Sequence, residues 1–228
     1  MTDEAKSRAS RCFARTGPGG IPSRRDLRAT VAACTERLRR DPDDVEELIR
    51  RGTALTILAG NGDGRARDAE EDFDRALRLR PGDLLALGGR AGARFSRCKS
   101  ERLPDDHYLR CLRGAIADWS EVLRTLPDEP HGLAARAFAL HDLSLAVPAE
   151  RSESLAQAME DLDRSIARLP GNGDAFLLRG TIRLARLPAA DSLPSLESSI
   201  ADFELALQLG PDQPGRHARL AAALAQAA

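Results

Sequence analysis

The residues whose type and spacing could do chemistry here are arginines and aspartates. Arg51, Arg90, Arg136 and Arg179 each stand nine residues after a proline: Pro42, Pro81, Pro127 and Pro170. Asp72, Asp118, Asp161 and Asp202 each stand nine residues before one: Pro81, Pro127, Pro170 and Pro211. A row of guanidinium groups could hold phosphate or carboxylate, because the planar fork meets either with two parallel hydrogen bonds. The same forks could instead close on the aspartates, pairing Arg51 with Asp72, Arg90 with Asp118, Arg136 with Asp161 and Arg179 with Asp202. The exceptions favour pairing. Ala33 takes the aspartate position where no arginine precedes it, and Leu220 takes the arginine position where no aspartate follows. Charge stands only where its mate exists, so the pattern reads first as four structural ion pairs.

Other candidates for chemistry are weaker. The histidines are His107, His131, His141 and His217; His131 and His141 share one helix ten residues apart, and no carboxylate or cysteine sits at metal-ligand spacing to both. Asn61-Gly62-Asp63-Gly64 has the look of a calcium loop, but arginines at 65 and 67 oppose a dication, and a turn is the better reading. Asp105-Asp106-His107 sits just before an apolar helical pattern, where aspartates cap and complement the helix dipole. Gly88-Gly89-Arg90-Ala91-Gly92 lies within a helical pattern rather than after a strand, so a dinucleotide fingerprint fails its context. Those glycines serve either close helix packing or an open groove floor. Cys12, Cys34, Cys98 and Cys111 form no CxxC and fit reduced cytoplasmic thiols better than a disulfide frame. No nucleophile–base pair, metal set or cofactor motif emerges, and the expectation is a protein that is not an enzyme.

What positions the arginines and aspartates is a repeat. The five prolines are spaced by 39, 46, 43 and 41 residues. Apolar residues recur at helical period on both sides of each proline. Twelve residues before it stands a small residue (Thr30, Ala69, Ala115, Ala158, Ser199). Eight before it stands an apolar, mostly large one (Cys34, Phe73, Trp119, Leu162, Phe203). Ten after it stands a tiny one (Gly52, Ala91, Ala137, Gly180, Ala221). Bulky groups filling gaps beside tiny ones are what stacked helical hairpins require.

Ala115-Ile116-Ala117-Asp118-Trp119, the recurring proline and Arg179-Gly180 together resemble the tetratricopeptide repeat in its bacterial form, over about residues 27–226. The resemblance implies an all-α, right-handed solenoid of about ten antiparallel helices. It implies four full hairpins with a lone helix at each end, near 24–40 and 213–226. The family unit is about 34 residues, so these units are longer. The extra residues are expected at the hairpin tips, as elongated loops or helix extensions near 59–66, 97–110, 144–153 and 187–195. Residues 1–22 are expected to be disordered or loosely packed, and 23–228 to form a single repeat domain.

In this family the first helix of each hairpin lines a concave groove. By register the lining would include Ile49, Arg50, Thr53, Leu85, Phe95, His131, Phe138, His141, Leu177, Leu178, Thr181 and Leu184. The family's clamp for a C-terminal carboxylate needs Lys and Asn where this chain has Ile49, Thr53 and Gly89. The groove reads apolar instead, suited to a helix or hydrophobic segment, unless those side chains are simply core. The implied function is a protein–protein adaptor binding a peptide, helix or partner protein in the bacterial cytoplasm. A small-molecule or lipid sensor, or a self-assembling scaffold that dimerises through its terminal helices, stays open.

Composition agrees with this frame. Thirty-four basic residues, all but Lys6 and Lys99 being arginine, meet 35 acidic ones for a net charge of −1. That balance argues against a nucleic-acid binder driven by bulk charge, and 4% aromatic residues argue against a base-stacking surface. No 18-residue apolar run is present, so no transmembrane helix is expected, and the first twenty residues lack the apolar core of a secretory signal.

Overall fold

The computed structural model describes residues 22–63, 65–101, 103–185, 193–210 and 214–227. The expectation for residues 1–22 therefore lies outside the described residues, Pro22 apart. Among the described residues the regular structure is α1 (Arg24–Arg40), α2 (Val45–Gly60), α3 (Ala66–Leu79), α4 (Leu84–Ser100), α5 (Asp105–Thr125), α6 (Pro130–Ala146), α7 (Arg151–Arg168), α8 (Gly173–Ala185), α9 (Leu193–Gln208) and α10 (Pro214–Ala227), with a 3-10 turn at Pro148–Glu150. No strand occurs among them. No described helix is long and apolar enough to cross a membrane.

Each hairpin begins the same way. The residue two after the proline caps the incoming helix. Asp44 accepts from the Glu47 amide, Asp83 from the Leu85 and Ala86 amides, Glu129 from the Gly132 amide and Asn172 from the Ala175 amide. A side-chain oxygen here satisfies amides that have no partner within the helix. Pro130 at the first position of α6 adds a fixed φ where its missing N–H costs nothing. Gly82, at φ +79°, makes the left-handed turn between α3 and α4 that a β-carbon would strain.

The chain divides into two compact units, residues 1–127 and 128–228. In the first, α1 packs on α2, α2 on α3, α3 on α4 and α4 on α5, and α2 also reaches α4. Contact between successive first helices, past the helix that separates them in sequence, marks a stacked repeat. Its core joins Leu27, Val31 and Leu38 of α1 to Leu48, Leu55 and Leu58 of α2 and Phe73 of α3. In the second unit α6 and α7 pair, α8 and α9 pair, α6 reaches α8, and α10 lies on α9 and α8. Phe203 and Leu196 of α9 are buried there, with Leu177, Leu184 and Leu220 packed against them.

The additional length of the first three repeats goes largely into helix. α4 runs on to Ser100 and α5 starts at Asp105 and continues for 21 residues. Only 61–65, 101–104 and 147–150 separate the helices at the first three tips. Elongated loops are not what these tips contain. Carrying the helices on satisfies the backbone of each added residue internally, which a long loop would leave to solvent. The expected loop near 187–195 falls mostly outside the described residues.

Candidate functional site

Phe73 and Phe203 explain the two glycines of the tiny column, Gly52 and Gly180. A β-carbon on Gly52 would lie 2.9 Å from the Phe73 ring, and one on Gly89 would lie 2.3 Å from it. A β-carbon on Gly180 would lie 2.8 Å from the Phe203 ring. Gly52 shares a hairpin with Phe73, whereas Gly89 is in the next one, so a single ring locks two hairpins at their glycines. The space at Gly89 is thus filled by Phe73, and it is not the open groove floor that the glycine-rich stretch could have made.

All four arginine–aspartate pairs are formed, each two-pronged. Arg51 Nε and Nη2 donate to Asp72 at 2.8 and 2.6 Å. Arg90 does the same to Asp118 at 2.9 and 2.7 Å, and Arg136 to Asp161 at 2.7 and 2.7 Å. Arg179 Nε and Nη2 reach Asp202 at 3.0 and 2.6 Å. The aspartates are buried, down to 1% exposed at Asp161 and 2% at Asp202. The hydrogen bond to Asp118 holds the Arg90 guanidinium above its ordinary pKa despite burial.

The third edge of the fork has a partner that the spacing argument missed. Arg51 Nη1 donates to Thr35 Oγ1 at 3.3 Å, Arg90 Nη1 to Asp74 at 2.8 Å and Arg179 Nη1 to Asp163 at 2.8 Å. These acceptors stand seven residues before a proline, a column that reads Thr35, Asp74, Ser120, Asp163, Glu204 and is polar throughout. Arg51, Arg90 and Arg179 therefore tie the second helix of their own hairpin to the helix preceding that hairpin. Arg94 and Arg183, four residues on, add Nη1 bonds of 2.8 and 2.7 Å to Asp118 and Asp202. With their forks occupied in this way, these arginines hold helices together and are not presented as a phosphate-binding ladder.

The proposed groove residues divide. Leu178 is 5% exposed and belongs to the core, because α8 turns that side of the helix inward. Ile49, Leu177 and Leu184 are half-buried against core clusters. Leu85, Phe95, Phe138, His131 and His141 are also half-buried, with Lys99 Nζ 5.6 Å from the Phe95 ring centroid. His141 Nδ1 lies 3.7 Å from Asp142. Arg50 and Thr53 are exposed, although Arg50 Nη1 donates to Glu47 at 2.8 Å. The Thr53 and Thr181 hydroxyls donate to the carbonyls of Ile49 and Leu177, four residues back, at 2.8 and 2.7 Å. Ile49, Arg50, Thr53, Leu85 and Phe95 belong to the first unit and the others to the second.

A cleft of about 470 Å³ opens along α1 beside Arg28, Thr35, Glu36, Arg39, Asp63 and Arg65, and a second of about 250 Å³ beside Thr35, Arg51, Arg65 and Asp72. Neither is lined by the groove residues. Among the described residues no cluster of three or more His, Cys, Asp and Glu side chains could hold a metal ion.

No protein-family model matches the chain, and no curated protein matches it. Solved structures do. A thermophilic TPR protein of Thermus thermophilus superposes with a TM-score of 0.61 at 17% identity, over 87% of this chain and 90% of that one. MamA (residues 41 to the end) from Desulfovibrio magneticus RS-1 gives 0.58 at 18% identity, over 94% and 99%. PilW, a widely conserved type IV pilus biogenesis factor, gives 0.58 at 14% identity, over 99% and 93%. At such identities the likeness is one of fold: the chain has the all-α helical-repeat fold of tetratricopeptide-repeat proteins.

Proposed function

We propose that the chain is a non-catalytic interaction module that takes a peptide, a helix or a partner protein on its first-helix faces. The observation that carries this is the division of labour within each hairpin. Arg51, Arg90, Arg136 and Arg179 turn their forks to buried aspartates. Leu85 and Phe95 on α4 and Phe138 on α6 are left half-exposed. Half-exposed aromatic and aliphatic groups on a rigid helix are suited to anchor a partner, because little conformational freedom is lost on contact. The near-neutral charge supports a protein partner over nucleic acid. The filling of the Gly89 space by Phe73 weighs against a small molecule seated on a glycine floor.

The test is capture from native lysate with the wild type, Thr53→Arg and Phe138→Glu, each variant first shown to melt like the parent. A protein retained by the wild type and lost from either variant supports the reading. A protein retained equally by all three moves the contact to another surface and overturns it.

A further inference from the structure

Inside the repeat, the positions by which a first helix meets its own second helix are buried. Twelve, nine and five residues before the proline stand Ala69, Asp72 and Ala76 of α3, and neither they nor their counterparts on α5, α7 and α9 are more than 6% exposed. Ten residues after it, Gly52, Ala91, Ala137 and Gly180 are buried as well. Thirteen after it, Leu55 and Leu140 are 1% and 3% exposed. The first and last helices carry the same columns uncovered. On α1, Thr30 is half-buried, and Ala33 and Arg37 are exposed. On α10, Ala221 is exposed and Leu224 is 49% exposed. Among the described residues no first helix precedes α1 and no second helix follows α10. So α1 presents the face that receives a first helix, and α10 the face that receives a second.

We propose that the chain associates head to tail with a second copy of itself, α10 of one copy docking on α1 of the next as the first helix of a hairpin. Charge singles out this occupant. Ala33 stands where the other second helices have aspartate, and Leu220 where the other first helices have arginine. A helix that faces only solvent carries either charge at little cost. Brought together, an aspartate without an arginine, or the reverse, is a buried charge without its partner. Both charges are absent at once, as contact between these two helices requires. In the antiparallel register of Arg51–Asp72 and Gly52–Phe73, Leu220 meets Ala33, Ala221 lies beside Cys34, and Leu224 reaches Ala29 and Thr30. His217 then faces Glu36, and both are exposed in the single chain. The contact is heterologous, so a pair of copies keeps one α1 and one α10 uncovered and can add a third. It spans one pair of helices, which makes it weak and assembly dependent on concentration. It uses none of the groove residues, so it stands or falls apart from the function proposed above.

The experiment is sedimentation equilibrium of the full chain over a wide range of concentrations, with Ala33→Arg and Ala221→Arg beside the wild type. Both substituted side chains are exposed, and each variant is first shown to melt like the parent. The wild type should rise above the single-chain mass as concentration increases, and each variant alone should not. An equal mixture of the two variants decides the geometry. It pairs the intact α10 of Ala33→Arg with the intact α1 of Ala221→Arg, so it should reach twice the single-chain mass and stop there. Ala33→Asp combined with Leu220→Arg rebuilds the fork of the inner hairpins between copies. Glu204 then stands in the column that accepts the third edge of Arg51, Arg90 and Arg179. That double variant should associate several-fold more tightly than the wild type. A wild type that keeps its single-chain mass at every concentration would overturn the proposal, leaving α1 to solvent or to residues 1–21. Association that survives in either single variant, or that is absent from their mixture, would overturn it as well by placing the contact elsewhere.

Discussion

At the scale of single residues, the stability of the hairpins turns on what happens to a buried carboxylate when its arginine is removed. Asp161 has only 1% of its side chain exposed, and Arg136 has 13%. Arg136→Ala leaves that charge without its fork, which costs ~3–5 kcal/mol for a buried pair. Arg90→Ala should cost less, because Asp118 keeps the 2.8 Å bond from Arg94. Urea unfolding of the two variants gives the order directly. The double variant Arg136→Ala/Asp161→Ala should lose less than the sum of its parts, by ~1–3 kcal/mol; strict additivity would refute the coupling. Glu129 poses the opposite electrostatic problem. Burial raises its carboxyl above the ordinary 4.5, against the amides of His131 and Gly132. The native state then holds that proton more tightly than the unfolded chain. Its contribution is complete below pH 4.5 and is lost as pH rises through the native value. Measured against Glu129→Gln, which cannot titrate, the wild type should lose stability from pH 4.5 toward neutrality; a flat difference would contradict this.

At the scale of helices, the contact between hairpins is decided by which glycine faces a ring. Gly89→Ala would place a β-carbon 2.3 Å from Phe73, a side chain with no exposed surface through which to retreat. Overpacking of that kind costs ~1–3 kcal/mol. Gly92 is one turn away on α4, and its nearest neighbour would be Thr56 Cγ2 at an ordinary 3.6 Å. Gly92→Ala should therefore stabilise by up to ~1 kcal/mol, from helix propensity alone. Thermal melts of the pair should shift in opposite directions, and shifts of the same sign would mean that Phe73 does not set the spacing. The sequence carries much of this. The columns of bulky and tiny residues can be read from spacing, as can Arg51–Asp72 and its counterparts, because a repeat writes each contact several times. Two features are not legible there. The link from Arg90 to Asp74 joins different hairpins, and nothing in one hairpin's spacing requires it. Register assigns Leu178 to the groove, yet it is core, because helical period gives a face but not which neighbour covers it.

At the scale of the whole chain, a repeat protein gathers its stability from neighbours, so a run of hairpins with its own core should stand by itself. Residues 22–127 meet that condition. Arg51–Asp72, Arg90–Asp118 and Arg94–Asp118 all lie inside this stretch. So does the cluster that joins Leu27 and Val31 to Leu55 and Phe73. Cutting after Pro127 breaks none of these contacts, and it falls between the end of α5 at Thr125 and the start of α6 at Pro130. The fragment 22–127 should therefore be helical and unfold cooperatively in urea. Arg51→Ala should lower its midpoint, because Asp72 is 5% exposed and would lose its fork. Circular dichroism on both fragments is sufficient. A gradual, non-cooperative loss of helix in the unsubstituted fragment would show that its hairpins depend on residues 128–228. A cooperative transition insensitive to Arg51→Ala would show that the ion pair fixes register without contributing to stability.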